Sequence, residues 1–237
     1  GVLTTAQRRD LVTSYRDVLN SVGLARVLDA KAGIELDLPM AMVEFERYDP
    51  PFVHYRAKGD SGVRVLLISQ TGDQATLAGL YDIMQTLEIV PLSGPRELGK
   101  SSFTLEGNNA EIRSYTYAAQ ADGRVKGFTI LWPAGNDRRR DMAIGAMQAS
   151  FRPTSDAVLP DVMDGGTTQS RDLLSGLDIR QAERVRSGFY VDGAGSVLTT
   201  VEAVEGCGRV TLDDEFEAEV VARDDALGVA LLRPREP

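Results

Sequence analysis

Apolar residues near the start of the chain recur at the spacing of an amphipathic helix, and Thr4 or Thr5 can cap its first turn. The pattern predicts a helix over residues 4–20, closed by Gly23. Its apolar face is formed by Leu11, Tyr15, Val18, Leu19 and Val22. Residues 33–39 then alternate between apolar and polar side chains, which predicts a half-buried strand.

Two further strands and a second helix follow. Residues 52–56 and 63–69 have the composition of strands, and the later half of the second run is almost wholly apolar. Such a run is typical of a strand inside a sheet, covered on both faces. Residues 74–87 return to helical spacing, with one apolar face that consists of Leu77, Leu80, Tyr81 and Met84.

Residues 103–105, 110–119 and 125–132 predict a meander of antiparallel strands, and Asp122-Gly123 is a hairpin signal between the last two. A helix over residues 141–151 closes this part of the chain. We therefore predict an α+β fold for residues 1–153, an antiparallel sheet with packed helices arranged as an αβα sandwich. This order of elements resembles the PsbP family, a resemblance that implies binding or accessory roles.

A change of composition marks the end of this domain. Residues 154–173 are rich in Thr, Ser, Asp, Gly and Pro, which predicts a linker. We assign residues 174–237 to a second, all-β domain.

The second domain carries three motifs in a familiar order. Residues 186–191 read RSGFYV, residues 195–204 read GSVLTTVEAV, and residues 222–232 read ARDDALGVALL. The order and spacing resemble the first barrel of trypsin-like serine proteases of the HtrA type. Glu202 and Gly228 stand where that family has its catalytic His and Asp.

The resemblance implies a protease fold without protease chemistry. A carboxylate of ordinary pKa is a poor base for a serine hydroxyl, and Gly228 has no side chain to orient a base. The family's nucleophile belongs to a second barrel, which does not follow within these residues. We therefore assign no catalytic residue, and we expect the exposed side of a half barrel to be covered by a missing C-terminal barrel, a second copy or the first domain. Cys207 is either a small buried residue or, as the resemblance implies, the partner of a cysteine in the missing barrel.

Charge and hydropathy exclude two classes of partner. The net charge of −9 disfavours nucleic acid and anionic lipid, since both require basic surface. No apolar run approaches the length of a membrane span. Gly1 is unusual as a first residue, so we expect a removed signal peptide and a periplasmic or secreted protein.

Four polar features are candidate sites, and each has a simpler structural interpretation. His54 is a possible ligand or base, but it lacks a second histidine or a cysteine for a metal site. Residues 137–141 (DRRRD) form a basic cluster that could hold an anion, although the aspartates reduce its field. Residues 192–195 (DGAG) resemble a glycine-rich loop without the lysine of a phosphate site. The carboxylates of residues 213–219 suggest calcium or, more simply, a solvated edge strand.

We expect Trp132 to anchor the core. The sequence as a whole predicts a non-catalytic bacterial envelope protein that needs no cofactor or metal and binds a protein, a peptide or a cell-envelope ligand. The alternatives are a fragment of a larger trypsin-like peptidase, a hydrolase with an unrecognised site, and a protein whose first domain alone carries the function.

Overall fold

The computed structural model describes residues 4, 5, 9, 13, 17, 20–135, 137–160, 177–180, 182, 184–213 and 216–235. Most of the helix predicted over residues 4–20 lies outside these residues, as do residues 161–176 of the predicted linker and the start of the second domain. Internal contacts divide the chain into a first unit, residues 1–180, and a second unit, residues 181–237. Each unit is described by itself.

The described residues of the first unit form ten strands and two helices. The bounds, in chain order, are β1 Leu24–Asp29, β2 Ile34–Pro39, β3 Val43–Asp49, β4 Phe52–Ala57, β5 Arg64–Thr71, α1 Gln74–Thr86, β6 Arg96–Leu98, β7 Ser102–Asn108, β8 Ile112–Ala121, β9 Arg124–Pro133, α2 Asp137–Ser150 and β10 Arg152–Pro153. Seven strands pair in the order β3-β4-β5-β9-β8-β7-β6, and three pair in the order β1-β2-β10. All of these pairs are antiparallel.

The predicted αβα sandwich is wrong, because β1, β2 and β10 form a second sheet. The inward side chains of β2, Ile34, Leu36 and Leu38, share one core with Ala143 and Met147 of α2 and with the large sheet. The other face of the large sheet packs on α1 through a separate core that includes Leu77 and Met84. The structure is therefore mostly β, and it is built on large antiparallel sheets.

Local bonds hold α1 in place at both ends. Asp73 and Thr76 form a reciprocal capping box at its N-terminus. At the other end, the Arg180 guanidinium donates to the carbonyl of Leu87 at 2.9 Å, and the Glu88 amide donates to the carbonyl of Asp178. Residues 177–180, the last of the first unit, thus supply hydrogen bonds beyond the last turn of α1.

A buried lysine joins three separate segments of the first unit. Lys126 on β9 donates from Nζ to the carbonyls of Ala32 and Gly33, in the turn between β1 and β2. It also donates to the carbonyls of Ser155 and Ala157, which follow β10. The ammonium group therefore adds a donor to the Ala32 and Gly33 carbonyls, which also accept from the Ser69 hydroxyl and the Thr154 amide, and links them to the residues after β10.

The second unit contains five described strands and one short helix. The strands are β11 Phe189–Tyr190, β12 Val197–Thr200, β13 Val210–Leu212, β14 Phe216–Asp224 and β15 Val229–Pro234, with a 3₁₀ helix at Val201–Ala203. They form one antiparallel sheet in the order β11-β12-β15-β14-β13. Its small core consists of Val197, Val204, Leu212, Ala218, Ala230 and Leu232.

Candidate functional site

The two positions aligned above with a protease triad hold a carboxylate, Glu202, and a glycine, Gly228, in place of His and Asp. Glu202 is exposed in the 3₁₀ helix, and Gly228 occupies a turn with φ +69°. The Val201 amide donates to the Gly228 carbonyl at 3.0 Å, so the two positions are close. The pairing of β12 with β15 places Thr200 opposite Val229 and accounts for this proximity.

His54 lies buried on β4 of the first unit, with its ring edge-on to Phe52. Its Nε2 atom has no hydrogen-bond partner. Burial lowers the pKa of His54, and the charge of Arg47 acts in the same direction. Among the residues that the structure describes, no group of His, Cys, Asp or Glu side chains is placed to hold a metal ion.

The basic cluster of residues 137–141 is largely neutralised from within. Arg140 donates to the carboxylates of both Asp137 and Asp141. These residues border a cavity of about 560 Å³ between α2 and strands β7 and β8, where Gln148 donates to the Tyr115 hydroxyl at 2.6 Å. Because its lining carries charges of both signs, the cavity does not define one class of ligand.

The remaining predicted features have local structural roles. Asp192 accepts hydrogen bonds from the amides of Ala194 and Ser196, and so closes the glycine-containing turn between β11 and β12. The Cys207 thiol is half-buried near the Ala203 carbonyl. Trp132 lies in the core of the first unit. Of the carboxylate run, residues 214 and 215 lie outside the described residues.

The most exposed consecutive apolar residues of the second unit lie on β11 and directly after it. Phe189, Tyr190 and Val191 are 74%, 60% and 51% exposed. Among the described residues, β11 pairs only with β12, so it forms an edge of the sheet. An exposed apolar edge strand is a template for pairing with another strand. We call residues 188–191 the β11 edge.

Part of the backbone of the β11 edge points away from β12 and forms no hydrogen bond with another described residue. The Val191 amide donates to the Ser196 carbonyl at 2.8 Å, and Phe189 lies opposite Leu198. In an antiparallel pair, alternate residues direct their N–H and C=O groups toward the partner. Those of Gly188 and Tyr190 therefore point away from β12.

Apolar side chains continue from the β11 edge across the outer face of the sheet. The register aligns Phe189 with Leu198, Leu198 with Leu231, and Leu231 with Ala222. Since successive side chains alternate between faces, this row lies opposite the core residues Val197 and Leu232. We call it the outer apolar row.

A carboxylate stands beside this apolar edge. The Tyr190 hydroxyl donates to Oδ2 of Asp213 at 2.8 Å, and Asp213 follows β13 at the other edge of the sheet. That hydrogen bond raises the pKa of Tyr190. In the sequence, Phe189 and Tyr190 are noticed only as part of a motif. Three consecutive large apolar residues after a glycine are the signal that could have identified this strand as a candidate binding edge.

Comparisons with known proteins give only distant matches. No family model matches the chain, and no curated protein matches it. A solved structure of the Ran-binding protein Mog1p from Saccharomyces cerevisiae is 9% identical, with a TM-score of 0.39, covering 56% of this chain and 96% of its own. A structure of a Mog1 point mutant is 7% identical with a TM-score of 0.41, covering 58% and 99%. The cyanobacterial PsbP from Synechocystis is 16% identical with a TM-score of 0.35, covering 55% and 92%.

These findings correct the identification as a degenerate trypsin-like serine protease. Solved structures of Mog1 and of PsbP are among the matches, and no family model supports a protease. The motif residues have ordinary local causes, since Gly188 packs closely on Val197, Asp224 accepts from the amides that follow it, and Gly228 adopts a positive φ. Antiparallel hairpins of many families need the same residue types in such turns. At these identities and TM-scores, the neighbours carry no argument about function.

Within the described part of the chain, no helix combines the length and the apolar character needed to cross a membrane.

Proposed function

We propose that this chain is a non-catalytic binding protein that accepts an extended polypeptide segment alongside β11. The observation that carries the proposal is the β11 edge, where exposed apolar side chains coincide with outward-pointing backbone groups. Strand addition uses both features, because main-chain hydrogen bonds supply affinity and alternate side chains supply specificity.

The apolar contribution comes mainly from Phe189. Its side chain is 74% exposed and projects from the outer apolar row, so an added strand can cover it. Full burial of a phenylalanine is worth about 1.5–3 kcal/mol, which corresponds to roughly tenfold or more in affinity. Binding is favoured over hydrolysis because exposed Glu202 has no activating partner at Gly228.

The proposal can be tested by amide hydrogen exchange on the full chain, with short peptides in which valine alternates with lysine, glutamate or serine. We expect at least one peptide to slow exchange at the outward amides of Gly188 and Tyr190. Phe189→Ser should weaken that peptide about tenfold. Leu227→Ser, at a turn residue that is 75% exposed in the same unit, is the matched control and should leave binding unchanged.

Two results would contradict the proposal. One is that no peptide protects the two amides at millimolar concentration. The other is a dimer in sedimentation experiments that Phe189→Ser abolishes, because β11 would then pair with a second copy rather than with a partner segment.

Location in the bacterial envelope remains part of the proposal. Fractionation of cells that express the natural gene would test it, and recovery of the protein with cytoplasmic markers would argue against it.

A further inference from the structure

We infer that the segment accepted at the β11 edge carries a basic side chain next to the apolar residue that covers Phe189. This inference rests on the proposed function and adds the chemistry of the partner. It comes from the position of charge in the second unit rather than from the apolar residues alone.

Negative charge is concentrated in the second unit. Residues 181–237 contain twelve acidic and six basic residues, a net charge of −6 out of −9 for the whole chain. Like charges at an interface are unfavourable, so an acidic segment would be repelled during approach. A basic segment would be attracted, more strongly at low ionic strength.

The carboxylate that distinguishes the β11 edge is Asp213. The Tyr190 hydroxyl donates to its Oδ2 atom, so the carboxylate lies at the tip of the Tyr190 side chain. Its side chain makes no ion pair with any described residue, in contrast to Asp225, which pairs with Arg223. Asp213 is therefore available, among the described residues, to receive a charge from an added strand.

The basic residues near β11 lie at its other end. Arg184 donates to the carbonyls of Glu202 and Glu205, which fixes it beside the 3₁₀ helix. Arg186 donates to the Val185 carbonyl. Arg184 and Arg186 thus precede Gly188, with the exposed residues Glu202 and Glu205 next to Arg184, whereas beyond Tyr190 the charged groups are the carboxylates of Asp192 and Asp213. This polarity favours a segment whose basic residue lies at the Tyr190 end.

The three alternating peptides also test the inference. We expect the lysine–valine peptide to bind several times more tightly than the glutamate–valine peptide, with the serine–valine peptide between them. Raising the salt concentration should reduce this difference. Asp213→Asn should weaken the lysine–valine peptide by about two- to fivefold, the range of an exposed ion pair.

Asparagine suits position 213 because it tolerates the left-handed backbone found there, φ +53°. Asp225→Asn is the control, since it removes the same charge from the turn between β14 and β15. It should change binding of the lysine–valine peptide less than Asp213→Asn does.

The outcomes separate the inference from the proposed function. Equal binding of the three peptides at the β11 edge would overturn the inference and leave strand addition intact. Equal effects of Asp213→Asn and Asp225→Asn would also overturn it, because the attraction would then be a property of net charge. Binding of none of the peptides would contradict the proposed function itself.

Discussion

Replacing Lys126 by methionine tests whether one buried cation holds the two sheets of the first unit together. Lys126 is 3% exposed, and its Nζ donates to the carbonyls of Ala32, Gly33, Ser155 and Ala157. Methionine fills a similar volume but removes the ammonium donor. The carbonyls of Ala32 and Gly33 then keep the Ser69 hydroxyl and the Thr154 amide as donors, whereas those of Ser155 and Ala157 lose the lysine.

The expected loss follows from two opposing contributions. Each hydrogen bond that involves a charged group contributes about 1.5–3 kcal/mol, and the ammonium has three N–H groups to share among the four carbonyls, so the bonds together contribute at most roughly 4.5–9 kcal/mol. Burial of the ammonium costs several kcal/mol, and methionine avoids that cost. We expect Lys126→Met to lower the free energy of unfolding by about 2–4 kcal/mol, a large share of a typical domain's stability.

Urea denaturation followed by tryptophan fluorescence measures this loss directly. Trp132 is the only tryptophan of the chain, and it lies buried in the core shared by the two sheets and α2. Lys100→Met, at an exposed lysine of the same unit, is the control and should change stability by less than about 0.5 kcal/mol. Equal stability of the two variants would refute the reasoning.

Two other predictions concern the large sheet and the helix that follows it. Because its pKa is lowered in the folded state, His54 binds a proton more readily when the chain is unfolded. The free energy of unfolding should therefore fall as the pH drops below about 6.5. His54→Leu should remove that contribution, as measured by urea titrations at several pH values. A steeper acid dependence in the variant would contradict this. Gly127→Ala should destabilise by more than about 1 kcal/mol, since its Cβ would lie 2.7 Å from the Ala118 Cα. Gly145→Ala should stabilise the protein by roughly 0.5–1 kcal/mol, because this helical glycine faces open space. If thermal unfolding ranked the two glycine variants in the opposite order, the packing described for Gly127 and Gly145 would be wrong.

Local periodicity located several elements but not their arrangement. The alternation of residues 33–39 and the apolar run of residues 63–69 correspond to β2 and β5. β3 was not predicted, because a bulge between Phe45 and Arg47 interrupts the alternation of its apolar and polar side chains. The αβα prediction failed because pairing of β1 with β2 into a separate sheet depends on contacts that no local pattern encodes.

The candidate site shows the same limit. The sequence shows residues 186–191 as an apolar run, but whether that run can bind a partner depends on which strands pair with β11. The composition Phe-Tyr-Val suits a buried strand as well as an exposed edge strand. Only the pairing of β11 with β12 shows that these residues lie at an edge. Asp213 is distant in sequence from Tyr190, so their hydrogen bond required the fold of the whole sheet.

The contrast between the two units supports the proposal that binding takes place in the second. The first unit buries two large apolar cores and closes its turns with Lys126 and Arg180. The second unit has one small core under a five-stranded sheet, and the outer apolar row crosses the other face of that sheet. Small domains bury a lower fraction of their surface and are correspondingly less stable. A strand added beside β11 would extend the sheet and cover Phe189, so the partner would complete a structure that the second unit leaves open.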